Sequence, residues 1–367
     1  MIKEKKHGNI AVLSLLAMFM VTFFYMLNKS GATGSYQGSH RSLFNGMLII
    51  GEIGFNLITI ISGYLLVKSE FKWRYFFQNV FYIESFNLLA VAIIGKKSGI
   101  ELNSIKDVFR YFFPILNGTY WFATIFILLL LLAPFTKRIA ELLSQKELKR
   151  LLITLLIIFS LIPTYVGIMI NNSEAFLYYN RLIWLVTMQY LGAYIGLYGI
   201  KLLNRFWKSF IYLIVLTLIF ISVLLVMNQN LTLLKTVFPI DTAYFWRPNS
   251  FFAVTFSLLI FMMFKGIKLP GSKILSLLST NIVGCYLLAD GYAASFLWKD
   301  VLKVNTVLED TNFIWKMLAS TAVVFLIGLI MTLIQTYLFK LLIKIIDLTT
   351  VLLTVKHSGG RHTKKVR

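Results

Sequence analysis

The sequence predicts an all-α, polytopic integral membrane protein of about ten transmembrane helices with both termini in the cytoplasm. Three observations carry that fold class. Of 367 residues, 58% are hydrophobic and only 14% are charged, with a mean hydropathy of +0.77; a water-soluble domain carries about 25% charge. Apolar runs of about twenty residues recur along the chain, long enough for a hydrocarbon core of about 30 Å. Between them lie short polar islands whose Lys and Arg content alternates, as the positive-inside rule requires.

The apolar windows fall at 9–28, 44–67, 76–95, 119–135, 151–170, 182–199, 208–227, 250–266, 274–298 and 313–339. The first follows Lys3, Lys5 and Lys6 and resembles a secretory signal. Its length and the lack of a small-residue cleavage pattern make it a membrane helix instead. With the N-terminus inside, the inner segments hold 24 Lys and Arg residues and the outer loops 11. The expected location is therefore a cell membrane, read as the bacterial plasma membrane.

The formal charge of +21 is spread along the chain, so it reads as topology and not as a nucleic-acid face. One cysteine, Cys285, allows no internal disulfide. No clustered His, Cys or Asp offers metal ligands at workable spacing. Neither an internal repeat nor a Walker-type phosphate loop is present.

The longest outer loops, about 96–118 and 228–249, carry aromatic residues and mixed charge and are the expected substrate side. Within the first, Ile105 to Phe113 reads as a short amphipathic helix at the interface, with Lys106, Asp107 and Arg110 toward water. Lys340, Lys344 and Asp347 interrupt the last apolar run. That interruption divides the chain into a membrane domain over 1–339 and an interfacial helix with a basic tail over 340–367. The tail His357–Arg367 either meets anionic lipid headgroups or only fixes topology.

Charges at membrane depth cost roughly 2.5–3.5 kcal/mol on insertion scales, so each is a functional candidate. Five are found: Glu52, Glu84, Arg181, Asp290 and Lys316. Glu52 and Glu84 read either as acid–base groups or as helix-to-helix hydrogen bonds. Arg181 and Lys316, near helix ends, can snorkel to the interface. Asp290 resists that explanation, because no helix end is expected near it. Two acids and one Arg can converge on a polar cavity. Gly192 and Gly196 form a small-xxx-small pair, which implies close helix packing. Tyr120-Trp121-Phe122 reads as an interfacial aromatic belt or as a shelf for a sugar ring. All four His residues, His7, His40, His357 and His362, lie outside the apolar runs, so the commonest acid–base catalyst is missing from the membrane.

Several local patterns together resemble the acyltransferase-3 family. They are Gly54-Phe55-Asn56-Leu57 running into Ser62-Gly63-Tyr64-Leu65-Leu66, Tyr120-Trp121-Phe122 followed by Ala133-Pro134-Phe135, Leu191-Gly192-Ala193-Tyr194, and Cys285-Tyr286-Leu287-Leu288. The resemblance implies a ten-helix membrane enzyme that moves an acyl group, commonly acetyl from acetyl-CoA, onto a cell-surface glycan. Acyl-CoA would be the donor, and a surface or lipid-linked glycan and membrane lipids the partners. The Asp, Arg and catalytic His that members carry along the first helix align with Ala11, Ser14 and Tyr25. The Arg-rich start of the third helix reads Phe76-Phe77-Gln78-Asn79-Val80-Phe81, and a second recurrent His is replaced by Ala289. A tyrosine with its usual pKa near 10 is a poor base at neutral pH, and Lys29, one turn on, is expected out in the interface.

Two functions stay open at this point. One is acyl transfer by an altered constellation, with Glu52, Glu84 or Tyr25 in catalysis and Arg181, Trp121, Ser62 and Asp290 holding substrate. In that case Arg181 can stabilise developing negative charge. The other is a scaffold that has lost acyl transfer and serves glycan export, flipping or assembly.

Overall fold

The computed structural model describes residues 8–31, 41–95, 103–164, 180–228, 247–292, 294–307 and 312–359, and these contain helices and no strand. The principal helices are α1 (Gly8–Lys29), α2 (Arg41–Leu66), α3 (Trp73–Ile94), α4 (Ile105–Phe112), α5 (Trp121–Leu142) and α6 (Gln145–Leu156). They continue with α7 (Arg181–Leu197), α8 (Phe206–Asn228), α9 (Phe251–Gly266), α10 (Lys273–Thr280), α11 (Val283–Asp290) and α12 (Phe313–Gly359). Each apolar run of the sequence contains helix among its described residues. Seven segments of the described residues are long and apolar enough to cross a membrane. The run at 182–199 yields only the 17 residues of α7 and that at 250–266 the 16 of α9. The run at 151–170 is the end of α6 with a π-turn at Ile157–Leu161, and 165–170 lie outside the described residues.

Burial sorts the helices into centre and periphery. The apolar window of α2 is 72% buried within the protein, against 17% for α8 and 22% for α3. α2 is therefore the hub, packed on α1, α7 and α9, while α8 and α3 turn most of their apolar surface outward, as lipid-facing helices do. The α2–α7 contact is made backbone to backbone. A Cβ built on Gly63 would lie 1.9 Å from the Gln189 carbonyl oxygen, and one on Gly192 would lie 2.0 Å from that of Ile60. Small residues let two membrane helices approach this far, which is the packing that the Gly192–Gly196 spacing predicts.

Two elements depart from the sequence reading. The run at 274–298 is not one helix: it breaks at Asn281–Ile282, restarts as the eight residues of α11 and ends at Asp290. The break is held by side chains, since Asn281 Nδ2 donates to Leu277 O at 2.6 Å and its Oδ1 accepts from Thr336 of α12. Trp298 Nε1 then donates to Ala289 O at 3.2 Å, occupying a carbonyl that the end of α11 leaves open. Asp290 is thus at a helix end after all. The second departure is α12, which runs through residue 340 as one 47-residue helix, with no separate interfacial helix after 339. Lysine is a good helix former, so Lys340 and Lys344 change the surface without breaking the backbone.

The amphipathic helix read at 105–113 is α4, capped by Ser104, whose Oγ accepts from Asp107 N at 3.2 Å. Ile105 and Phe109 stand 87% and 52% exposed on its apolar face. His7, His40, His362 and the tail beyond residue 359 lie outside the described residues, as do 96–102 and 229–246 of the outer loops.

Candidate functional site

At the end of the bundle where α1 and α11 finish and α5, α7 and α9 begin, the helices line an open cavity of about 700 Å³. The last turns of α1 supply Phe24, Tyr25, Asn28 and Lys29, and the interior of α2 supplies Glu52. Trp121 and Arg181 are the first residues of α5 and α7. Arg247 and Pro248 enter just ahead of α9, and Asp290 closes the ring. Of the residues singled out from the sequence, Tyr25, Glu52, Trp121, Arg181 and Asp290 meet here.

Each side chain is held by a specific partner. Lys29 Nζ pairs with Asp290 Oδ1 at 3.4 Å, the lysine side chain 37% exposed and the aspartate 5%. Tyr286 Oη donates to Asp290 Oδ2 at 2.8 Å and accepts from Phe122 N at 3.2 Å. Trp121 Nε1 donates to Tyr25 Oη at 2.7 Å, and the phenol is also hydrogen-bonded to Asp290. The guanidinium of Arg181 lies over the Trp121 ring, 4.4 Å from its centroid. Phe55 packs against the same indole at 5.0 Å.

Arg247 is placed by a clamp on the residues that follow it. Asn56 Nδ2 donates to Pro248 O at 2.7 Å while Asn56 Oδ1 accepts from Trp184 Nε1 at 3.0 Å. Asn249 Nδ2 donates to Phe159 O at 2.8 Å, within the π-turn that follows α6. Ser250 N closes a turn onto Arg247 O at 2.9 Å, and Ser250 Oγ caps α9 by accepting from Ala253 N at 3.1 Å. The irregular turn after α6 therefore has a local purpose: it exposes a carbonyl that fixes the lip of the cavity.

Glu52 differs from its neighbours. Its Oε2 is buried and has no hydrogen-bond partner among the described residues. The other buried side-chain oxygen left unpaired, Gln335 Oε1, is on α12 and does not line this cavity. A buried acceptor without a partner is costly, and its presence in a cavity points to a group that binds there.

Two sequence readings change. Lys29 is not out in the interface but on the cavity wall, because α1 reaches past Tyr25 by a full turn before ending. Tyr120 and Phe122 are 0% and 4% exposed, so that cluster is no lipid-facing belt. Trp121 lines the cavity with the Arg181 guanidinium over its ring and Phe55 packed beside it. Three further candidates stand elsewhere. Glu84 is outside the cavity, hydrogen-bonded by the Ile115 backbone. Ser62 lies ten residues along α2 from Glu52, about 15 Å down the helix. Lys316, also at depth in the sequence, is exposed on α12. Lys29 and Arg247 belong to the site although the sequence does not flag them, because a cation at a helix end or in an outer loop looks like topology.

A family model described as an acyltransferase domain, the acyltransferase-3 model, matches residues 8–339. No curated protein and no solved structure matches the chain.

Proposed function

The chain belongs to the acyltransferase-3 family, and from that premise we propose that it transfers an acyl group from an acyl-CoA to a hydroxyl of a surface or lipid-linked glycan. In this reading it crosses the bacterial plasma membrane ten times with both termini in the cytoplasm, which turns the cavity to the outer side. A membrane acyltransferase-like role follows from the family; the acceptor and the chemistry are our reading.

The observation that carries it is Glu52. A carboxylate oxygen buried at the cavity with no partner is placed to receive the proton of an acceptor hydroxyl. Geometry of this kind is what a general base needs, and base catalysis contributes about 10²- to 10⁴-fold. The acceptor oxygen bonds to the acyl carbon as its proton passes to Glu52; the carbon–sulfur bond then breaks and Glu52 returns the proton to sulfur. Arg181, whose guanidinium lies over the Trp121 ring, stabilises the oxygen on which negative charge develops. Asp290, tied to Lys29, Tyr286 and Tyr25, holds the cavity wall in place.

An acyl-CoA, when bound, supplies the activated thioester carbonyl. Its phosphates need cations, and these stand at the other end of α2, where Lys68, Lys72, Arg74 and Lys137 gather in sequence and space. Lys68 Nζ donates to Tyr64 Oη at 2.7 Å and Lys137 Nζ to Ser69 O at 2.8 Å. From Glu52 to Leu66 the helix covers about 21 Å, so the donor's arm and not its phosphates must reach the cavity.

The test is the O-acyl content of the surface polysaccharide, measured by NMR in cells carrying Glu52→Gln or Glu52→Asp at matched membrane levels. Glu52→Gln should lose acylation by at least about 100-fold, and Glu52→Asp should keep part of it. Undiminished acylation in Glu52→Gln removes the base. Loss of the polymer with unchanged acyl content points to export instead.

A further inference from the structure

We infer that Tyr25 is a positioning residue of the cavity: through the indole of Trp121 it holds the guanidinium of Arg181 in one place, with Asp290 as the anchor. The placement of Arg181 stands by itself, and only its consequence for rate rests on the acyl-transfer reading.

The first support is a continuous line of contacts. Lys29 Nζ and Tyr286 Oη both engage the Asp290 carboxyl, at 3.4 and 2.8 Å. Tyr25 is hydrogen-bonded to the same carboxyl and accepts from Trp121 Nε1 at 2.7 Å. Arg181 lies over the Trp121 ring, 4.4 Å from its centroid. Each link crosses from one helix to another, from α11 to α1, then α5, then α7. In such a chain each hydrogen bond polarises the next. The carboxyl draws the phenol proton, the phenol oxygen becomes a stronger acceptor, and the indole that donates to it presents a more negative face to the cation.

The second support is that Tyr25 is committed to its neighbours. It is 3% exposed, and its ring meets Phe24, Phe55 and Tyr286 edge to face at 5.2, 6.1 and 5.6 Å. Its hydroxyl is engaged by Asp290 and Trp121. A phenol held on all these sides acts through the groups it touches. Phe55 also packs against Trp121 at 5.0 Å, so the indole is fixed both at its nitrogen and beside its ring.

The third support is that Arg181 needs holding. It is the first residue of α7, where the helix dipole disfavours a cation. Asn180 caps that end, its Oδ1 accepting from Leu182 N at 2.9 Å and Ile183 N at 3.1 Å, so the arginine has no capping duty. Arg181 is exposed, and arginine surrenders more rotamer freedom on being ordered than most side chains. The Trp121 face on one side and the charge of the Glu52 carboxyl on the other offset that loss. A guanidinium ordered before a ligand arrives is aimed at developing charge without further cost.

The experiment first measures phenylglyoxal labelling of arginine by mass spectrometry in the purified full chain in lipid nanodiscs, wild type against Tyr25→Phe. Phenylalanine keeps the ring contacts and removes only the hydroxyl. Arg181 should label about two- to fivefold faster in the variant, the order of an exposed cation–π contact, while the exposed Arg74 at the other end of the protein labels equally in both. The second measurement is the rate of O-acyl accumulation on the surface polysaccharide, by NMR, in cells with matched membrane levels. Tyr25→Phe should slow it by about ten- to a hundredfold. In an Arg181→Lys background, where the planar stack is gone, the same change should slow it by no more than about threefold, yet lower the thermal midpoint by the same amount as before. A purely structural tyrosine would cost as much rate in either background. If Tyr25→Phe does not accumulate, Trp121→Phe cuts the same link from the other side, with the same expectations. Unchanged labelling of Arg181, or an equal loss of rate in both backgrounds, overturns the inference. Faster labelling in a protein that transfers no acyl group would support the placement of Arg181 and defeat the acyl-transfer reading; acyl transfer with unchanged labelling would do the reverse.

Discussion

Replacing Gly63 with alanine puts a methyl carbon 1.9 Å from the Gln189 carbonyl oxygen, where 3.4–4 Å is ordinary contact. Neither side of the contact is a flexible side chain, so α2 and α7 must part by about 1.5 Å in a close-packed interior. Overpacking of this kind costs about 1–3 kcal/mol. Gly192→Ala meets the Ile60 carbonyl oxygen at 2.0 Å and should cost the same. Gly196→Ala meets the Cγ2 of Val67 at 2.6 Å, a side chain with more freedom to move, and should cost clearly less. The separation also reaches the cavity. Glu52 and Arg181 each stand eleven residues from the respective glycine, about three turns up the same two helices. A 1 Å misplacement of reacting groups can lower a rate by about 100-fold. The assay is thermal unfolding of the three purified variants together with glycan O-acyl content in cells. The reasoning is refuted if Gly196→Ala proves as damaging as Gly63→Ala, or if Gly63→Ala leaves both stability and acylation intact.

Breaking the Lys29–Asp290 pair should be asymmetric. Lys29→Met strands an aspartate that is 5% exposed, whereas Asp290→Asn strands a lysine that is 37% exposed, so Lys29→Met should be the more destabilising in thermal unfolding. The coupling energy from the double-mutant cycle should stay within about 1 kcal/mol because water reaches the lysine. Asn56→Ala removes partners from both Trp184 Nε1 and Pro248 O. Each buried polar group left open costs about 1–3 kcal/mol, and a midpoint unchanged in Asn56→Ala would show that the lip is not held this way. At the far end of the protein, Ser144 and Glu147 form a capping box. Ser144→Ala should destabilise α6 by about 0.5–2 kcal/mol. The Ser144 hydrogen bonds hold the Glu147 carboxyl below its ordinary value. That contribution is complete above the unfolded-state value of about 4.3 and fades as pH falls through the lower folded value; Ser144→Ala should abolish this acid-side dependence.

The helices and half of the site are legible in the sequence for the same reason. A charge at membrane depth is costly wherever it occurs, so Glu52, Arg181 and Asp290 stand out from the order of residues alone, and all three come to one cavity. The rule cannot tell Glu52 from Glu84: both are acids in apolar runs, and only packing reveals that Glu84 finds the Ile115 backbone while Glu52 Oε2 finds nothing. Lys29 and Arg247 stay hidden because long cations near helix ends are the common furniture of membrane proteins. The break after α10 stays hidden because no proline or glycine marks Asn281–Ile282. It is imposed from outside, by Thr336 and Tyr82 on neighbouring helices, Tyr82 Oη and Thr336 Oγ1 lying 2.6 Å apart. Likewise the continuous α12 reflects the helix propensity of lysine, which a hydropathy pattern does not weigh.

The glycine contact between α2 and α7 also bears on how such a protein can change its substrate over evolutionary time. Glu52 and Arg181 ride on two helices fused too tightly to be reset by small substitutions, so their mutual spacing is inherited as a unit. The opposite lip is different: Arg247 and Pro248 hang from amide hydrogen bonds made by Asn56 and Asn249. A lineage adapting to a wider or narrower ligand would recut that lip and leave the fused pair alone. Anyone redesigning the acceptor range would do well to randomise the same short stretch.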